Sequence, residues 1–328
     1  MMRRIWTRVR FVLLLSGLVV APAFARLQNT SECPRIVEEA LSTVDSFCAA
    51  TGRNQACFGH IALTADLRGE PGAISFEQPG DVVDVASLES IHLSPLLASA
   101  GEWGVALMRL QANLPDTLPG ENVTFLLFGD VEVQNAVPEE GEADARLKPM
   151  QAFRLRTGMS DAPCEGAPQS GMVVQTPEGV GSVVFNINGV DVEMGSTVFF
   201  QANISGGMTV STLEGAAHVA TDLGAQPVLA GTWVRIALDD DLQASRAPGW
   251  PRPYTCRSAI HAALPLSLLP RDINITPAME NEQFDVVQGN IEASRPLCGE
   301  PGLPDCENYP FLQGDHQCLL TQGSVCGG

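Results

Sequence analysis

The stretch QANLPDTLPGENVTFLLFGDVEV (residues 111–133) is echoed by QANISGGMTVSTLEGAAHV (residues 201–219). Each begins with Gln-Ala-Asn, passes through a glycine-bearing turn and continues as Leu-x-Gly-x-x-x-Val. Aligning Gly129 with Gly215 places apolar residues at even spacing from each glycine, so each set is expected on one face of its strand. These sets are Leu127, Val131, Val133 and Leu213, Ala217, Val219. Glycine inside a strand pattern marks a bulge or bend. We therefore expect two related β units that bend the same strand at the same place, with chance similarity between short strands as the alternative.

The flanking sequence is also β in character, because short apolar segments are punctuated by Gly, Pro, Asn and Asp. SVVFNINGVDVEM (residues 182–194) predicts a hairpin around Asn188-Gly189, a pair that accepts the positive φ angles of a tight turn. WGVALMRLQANL (residues 103–114) puts Val105, Leu107 and Arg109 on one face of a strand that is buried on at least one side. The predicted fold is mainly β, with two small sandwich-like or roll-like units, an N-terminal helix and an irregular, disulfide-rich C-terminal tail.

One convincing helix precedes the strands. CPRIVEEALSTVDSFCAATG (residues 33–52) carries apolar residues at helical spacing, with Pro34 in the first turn and Gly52 at the stop. The predicted buried stripe consists of Ile36, Val37, Ala40, Leu41, Val44, Phe47 and Cys48.

The chain begins with a basic segment, an apolar run and an Ala-x-Ala pattern, which is the order of a secretory signal. We expect residues 1–25 to be a signal peptide, a retained membrane anchor being the alternative, and no membrane span after cleavage. The rest divides into a helix with cysteines (26–59), a first β unit (60–149), a second β domain (150–245), and a short helix with a cysteine-rich tail (246–328). The expected location is secreted or extracytoplasmic.

Cysteines support that location, because exported proteins keep disulfides. Cys33 and Cys48 lie too far apart along the helix to pair with each other, whereas Cys57 is able to pair with either. Zinc is disfavoured, since no Cys-x-x-Cys pair occurs and no histidine lies at finger spacing. The candidates are Cys33, Cys48, Cys57, Cys164, Cys256, Cys298, Cys306, Cys318 and Cys326.

Composition excludes one class of partner. The chain has 38 acidic and 19 basic residues, for a formal net charge of −19. Nucleic-acid binding depends on cationic side chains that displace counterions from phosphates, so nucleic acid is not an expected partner.

Three elements of the second unit resemble the FecR-like domain of bacterial envelope proteins: GSTVFF (195–200), MTVSTLEGAAHV (208–219) and VLAGTWVRI (228–236). The whole chain also looks like secreted proteins of Chloroflexota-type bacteria that pair such a domain with a related N-terminal β unit. The resemblance covers roughly residues 180–240 and rests on strand glycines and apolar positions. It implies a compact, mostly β module outside the cell. The signalling role of the family's named member is not carried over, because no internal transmembrane segment or cytoplasmic anti-sigma segment is recognised here.

No catalytic signature is recognised, neither a Gly-x-Ser-x-Gly elbow nor a His-Glu-x-x-His helix, and no cofactor or metal site is predicted. His218 is expected at an exposed strand position, and Asp239-Asp240-Asp241 as a solvated acidic turn. Trp250 and Tyr254, in PGWPRPY, are the candidate exposed binding aromatics.

These observations favour a non-enzymatic binding or structural module of the cell envelope or extracellular space. Its expected partner is a cell-envelope component or another protein. Two alternatives remain open: an extracellular hydrolase with a site between the two β units, and a sensor partner of an envelope signalling protein.

Overall fold

The structure is a computed structural model. It describes residues 32–68, 75–111, 122–137, 150–158, 167–179, 182–254, 264–293, 295 and 297. The predicted signal peptide lies outside these residues, as do six cysteine candidates, namely Cys164, Cys256, Cys298, Cys306, Cys318 and Cys326.

Strands dominate the described chain, in agreement with the predicted fold class. The helices are α1 (Glu32–Cys48) and α2 (Asn281–Glu292). The strands are β1 (Gln55–His60), β2 (Leu63–Leu67), β3 (Val82–Asp84), β4 (Leu88–Leu93), β5 (Val105–Leu110), β6 (Val123–Phe128), β7 (Val131–Asn135), β8 (Ala152–Thr157), β9 (Gly171–Gln175), β10 (Val183–Ile187), β11 (Val190–Asn203), β12 (Gly207–Thr221), β13 (Gly224–Leu229), β14 (Thr232–Ile236) and β15 (Arg252–Pro253).

All of these strands belong to one sheet that curls into a half-barrel. Its main path is β2-β4-β7-β8-β10-β11-β9-β6-β5-β1-β3, and β12 extends it by pairing with β11, β13 and β14. Most neighbours are antiparallel, whereas β8 and β10 run parallel. Because β9 lies between β6 and β11, the two predicted β units share this sheet. The concave side encloses the main core, to which nearly every strand contributes alternate residues.

The predicted N-terminal helix is present, and it covers the outer face of the sheet at β1 and β5. Ile36, Ala40 and Val44 are buried there against Val105 and Leu107, in what we call the outer cluster. Phe47 was expected in the same stripe, but it is 57% exposed and so does not belong to it. Position 47 lies one residue before Cys48 around the helix, which turns it away from the sheet.

A disulfide joins the end of α1 to β1. Cys48 and Cys57 are bonded, with their Cα atoms 5.7 Å apart, and both residues are buried. This decides between the two pairings that were open for Cys57. Cys33 is also disulfide-bonded.

The predicted hairpin joins β10 to β11. Asn188 and Gly189 both have positive φ, 56° and 72°, as a two-residue turn of this kind requires. Asn188 is buried, and its side-chain amide donates to the carbonyl of Leu155 and accepts from the same residue's N–H. The turn residue thereby ties the hairpin to β8.

Both aligned glycines lie where a strand bends. Gly129 has φ 80° and separates β6, which pairs with β5 and β9, from β7, which pairs with β4 and β8. Gly215 has φ 72° and lies within β12, whose first half pairs with β14 and whose second half pairs with β13. The absence of a side chain permits this backbone conformation at both positions.

The expectation that Leu213 lies on the same face as Ala217 and Val219 is wrong. Ala217 and Val219 are in the main core, as Leu127, Val131 and Val133 are, but Leu213 packs on the opposite side in the outer cluster. The register between β11 and β12 shifts there, since Thr197 pairs with Glu214 and Val198 with Thr212. Leu213 is the extra residue of this bulge, and a bulge reverses the alternation that follows it.

The tail predicted to be irregular contains α2. Phe284, Val287 and Ile291 pack on Ala216 and Leu229, covering the outer face of β12 and β13. Gly289 inside the helix obscured this pattern in the sequence, because glycine weakens a helical signal.

Candidate functional site

A row of polar side chains crosses the outer face of the sheet at the edge of the outer cluster. Directly paired positions on six adjacent strands contribute to it. In order these are Gln55, Arg109, Thr124, Gln175, Thr197 and Glu214, which we call the polar row. Thr124, Gln175 and Thr197 are buried. Apolar residues of the outer cluster occupy the same face two residues along β1, β5, β6, β9 and β11. The polar row is therefore a local change in chemistry on a buried surface.

An open cavity of about 450 Å³ lies over the polar row. It is lined by Arg109, Asn122, Thr124, Gln175, Thr176, Pro177, Glu178, Pro270 and Arg271. Strands β5, β6 and β9 form its floor, and the segment around Pro270 forms a wall. Glu178 and Pro270 are exposed at its rim. The volume is within the range of small-molecule sites.

Arg109 supplies a cationic group to this cavity. Its Nη1 donates to the carbonyl of Thr51 at 2.7 Å, just beyond the end of α1. Its Nε is enclosed and has no hydrogen-bond partner among the described residues. None of the ion pairs in the described part of the chain involves Arg109. Burial lowers the pKa of its guanidinium, because desolvation disfavours the charged form.

Thr124 is the neighbour of Arg109 across the β5–β6 pair. The side chain is 1% exposed, and its Oγ1 has no partner among the described residues. Buried hydroxyl groups are normally hydrogen-bonded, so an unpaired one beside a cavity needs an explanation. Arg109 and Thr124 together place unused donors at one side of the cavity.

On the opposite side of the cavity an acid neutralises the charge of Arg271, although the Nε of Arg271 has no hydrogen-bond partner among the described residues. Arg271 contacts Glu214 through both terminal nitrogens, at 2.9 and 2.5 Å, and Ser196 donates to the same carboxylate. The pKa of Arg271 is raised, chiefly by the hydrogen bonds to Glu214, with a further contribution from Glu178. The positive charge of Arg271 is therefore already neutralised.

The two candidate binding aromatics do not line this cavity. Trp250 is at the surface, 43% exposed. Tyr254 is only 7% exposed, so the expectation that it is exposed is wrong. Its hydroxyl donates to the carbonyl of Thr212, and burial raises its pKa. Tyr254 is able to lie in the outer cluster because this hydrogen bond satisfies its hydroxyl group.

Other polar candidates remain separate from the cavity. Asp239 accepts from the N–H groups of Asp241 and Gln243, forming the expected acidic turn. His218 is half-buried on β12, not exposed as expected. Within the described ranges no group of three or more His, Cys, Asp or Glu residues is arranged to hold a metal.

Little in the sequence indicates the cavity. Arg109 was placed on a strand face with Val105 and Leu107, but it was not predicted to be a site residue. Thr124, Gln175 and Arg271 carry no recognisable motif and come from separate parts of the chain. Their proximity results from cross-strand pairing, which short-range spacing does not encode.

Comparisons with known proteins leave the family unassigned. No family model matches the chain, and no curated protein matches it. Among solved structures the chain is similar to a protein described as an anti-sigma factor from Parabacteroides distasonis ATCC 8503, with 11% identity and a TM-score of 0.28. The match covers 46% of this chain and 57% of that one, a little over half its length. At this TM-score the likeness supports no conclusion about fold or function.

Both described helices fall short of what is needed to cross a bilayer, by length or by apolar character.

Proposed function

We propose that the protein is an exported, non-enzymatic binding module that holds a component of the cell envelope or of the extracellular space. The observation that carries this proposal is the cavity over the polar row. It joins a pocket of small-molecule size to a cationic group that no ion pair of the described residues neutralises. Ligand sites typically combine such a concave surface with a few fixed polar groups.

Paired strands form the floor of the cavity, which favours binding. Arg109, Thr124 and Gln175 project from central strands of the sheet, each paired on both sides. Gln175 exchanges two hydrogen bonds with the backbone of Arg271, which fixes the wall to the floor. A site held in place before the ligand arrives loses less entropy on binding.

The lining favours binding over hydrolysis. Among the described residues that line the cavity, the ionisable groups are Arg109, Arg271 and Glu178. General acid–base catalysis of hydrolysis uses a positioned acid and base, or a nucleophile beside a base. Glu214 lies next to the cavity, but its carboxylate is engaged by Arg271 and Ser196. The residues that line the described cavity thus provide recognition groups without a second catalytic partner.

Two observations support an extracytoplasmic location. Disulfides persist in oxidising compartments, and Cys33, Cys48 and Cys57 are all disulfide-bonded. The first residues of the chain have the order of a secretory signal.

Equivalent strand pairings support two related units, of which the second resembles a FecR-like domain. In the first unit β4 and β5 flank the two halves of the bent β6–β7 ribbon. In the second, β11 flanks both halves of the bent strand β12. In the first unit β2 pairs with β4, and β1 pairs with β5. In the second unit β10 and β9 pair in the same way with the two halves of β11. The cavity lies where strands of both sets meet.

Native mass spectrometry tests this function. The secreted full-length chain is incubated with a small-molecule extract of the cell envelope, desalted and examined for retained mass, with the heat-denatured chain as control. We expect a bound species that is released chemically unchanged, and no turnover of ester, peptide or glycoside substrates. Time-dependent conversion of the bound species into a product would instead assign the protein to the enzymes.

A further inference from the structure

We propose that the cavity recognises a carboxylate group, and that the guanidinium of Arg109 is its principal partner. The inference rests on the proposed binding function and adds the chemical class of the ligand. It draws on three features of the cavity: an unneutralised cation, an unpaired hydroxyl, and two carboxylates on the far side.

The cation is the first feature. A guanidinium has five N–H donors, and among the described residues Arg109 uses one of them, on the Thr51 carbonyl. The contact with Thr51 orients the side chain without supplying a negative charge. Holding a partly buried charge without a counterion costs free energy, which a bound anion would recover. Planar carboxylates match the fork of a guanidinium and form paired, charge-assisted hydrogen bonds with it.

Thr124 is the second feature. Its hydroxyl lies on the strand next to Arg109 and has no partner among the described residues. A rotation about χ1 is enough to redirect this hydroxyl, because threonine populates more than one staggered rotamer. Gln175, the next residue of the polar row, is fully engaged by Thr197 and Arg271. The Nε of Arg271 is a further donor without a partner among the described residues, but Glu214 already neutralises the charge of Arg271. The uncompensated positive charge therefore lies at Arg109, next to the hydroxyl of Thr124.

The acids on the far side argue for a singly charged ligand. Glu178 lies at the rim, and Glu214 lies behind Arg271. Arg271 neutralises one of these two charges, so a phosphate or sulfate dianion would meet one favourable cation and one uncompensated acid. A single carboxylate needs only the charge of Arg109. A free cation is disfavoured by the same guanidinium.

Pro177 and Pro270 provide apolar surface beside the charged groups. A cavity of about 450 Å³ exceeds what one carboxylate fills, so the acid is attached to a larger body. Peptide termini and sugar acids both have this form. Their shared chemistry is a carboxylate on a small polar framework.

Ligand-observed NMR titrations of the full-length chain test the inference with matched probes. N-acetylglycine represents a peptide terminus and glucuronate a sugar acid; N-acetylglycinamide and glucose are their uncharged counterparts, and inorganic phosphate is included. We expect at least one acid to bind about 10-fold or more tightly than its counterpart, and phosphate to bind more weakly than that acid, because charge-assisted hydrogen bonds are stronger than neutral ones.

Variants locate the effect. Arg109→Met removes the charge with similar bulk and is expected to weaken acid binding by about 10-fold or more, whereas Arg109→Lys keeps part of the affinity. Arg154→Met, on the exposed face of β8, is the matched control and leaves binding unchanged. If Arg109→Met does not fold, as judged by circular dichroism, Thr124→Val is the replacement, with a weaker loss expected.

The outcomes separate the two proposals. Equal binding of acid and uncharged counterpart, tighter phosphate binding, or full acid affinity in folded Arg109→Met would overturn carboxylate recognition. Each would leave the binding function in place, provided that the envelope extract still yields a retained species. Failure of every acid probe together with an empty native spectrum would overturn both.

Discussion

The side-chain amide of Gln175 forms two hydrogen bonds with the backbone of Arg271, which lies 96 residues away in the sequence. The two groups pair as neighbouring strands of a sheet do. Gln175 Nε2 donates to the carbonyl of Arg271 at 2.9 Å, and the N–H of Arg271 donates to Gln175 Oε1 at 3.0 Å. The side-chain amide therefore replaces a strand partner for a segment that has no regular structure. This contact holds the wall of the cavity against β9.

Gln175→Leu is expected to lower the free energy of unfolding by about 2–4 kcal/mol, because it leaves the N–H and carbonyl of Arg271 without their buried partner. Chemical denaturation measures the change. Gln134→Leu, at an exposed position of β7, is the matched control and should shift stability by less than about 0.5 kcal/mol. Equal losses in the two variants would show that the amide pairing does not stabilise the wall.

Alanine at either bend glycine should be severely destabilising. A Cβ at Gly129 would collide with Ser170, and one at Gly215 would lie 2.6 Å from the carbonyl oxygen of Gly195. Both positions also have positive φ, so we expect losses of about 2 kcal/mol or more in thermal or urea unfolding.

Gly101→Ala separates these two causes. Gly101 has φ 69° with open space around it, so only the backbone cost of about 1 kcal/mol applies. Gly289→Ala, in α2 and also without nearby atoms, should stabilise the protein by about 0.5–1 kcal/mol. A loss at Gly129 or Gly215 no larger than that at Gly101 would argue against steric restriction at the bends.

The Cys48–Cys57 disulfide should stabilise the protein measurably. Replacing both cysteines with serine releases the α1–β1 connection, and chain-entropy arguments for a loop of this length give a loss of about 2–3 kcal/mol. Differential scanning calorimetry of the full-length chain measures it. Because both cysteines are buried, we also expect the native protein to resist mild reductant until α1 detaches. Rapid native-state reduction would contradict the buried position of this bond.

His218 should make stability depend on pH. Burial lowers its pKa, and the opposing effect of Glu193 is smaller. A histidine in the unfolded chain has a pKa of about 6.5. Below that pH the unfolded chain therefore binds more protons than the folded one. The burial of His218 therefore does not lower the free energy of unfolding above about pH 6.5, but it lowers this free energy as the pH falls below that value.

Urea denaturation between pH 7 and 5 measures this slope. His218→Gln should flatten it, and Glu193→Gln should steepen it, because the carboxylate that favours protonation is lost. An unchanged slope in His218→Gln would assign the pH dependence to other groups.

Short stretches of sequence were sufficient to predict those structural elements that depend on a few neighbouring residues. The amphipathic α1, the Asn188-Gly189 turn and the glycine bends follow from helical period, turn chemistry and backbone freedom. Phe47 and Leu213 show where this reasoning fails. In each case the spacing is right, but the helix orientation or a bulge turns the side chain to the other side.

The sequence by itself determined that the chain is mainly β and strongly acidic, and it predicted disulfides, of which the structure describes Cys48–Cys57. Only the tertiary structure decided that Arg109, Thr124, Gln175 and Arg271 meet around one cavity. The physical reason is that strand register is set by the burial of apolar faces across the whole sheet. Polar side chains distant in sequence become neighbours through that register, which no short stretch of sequence records.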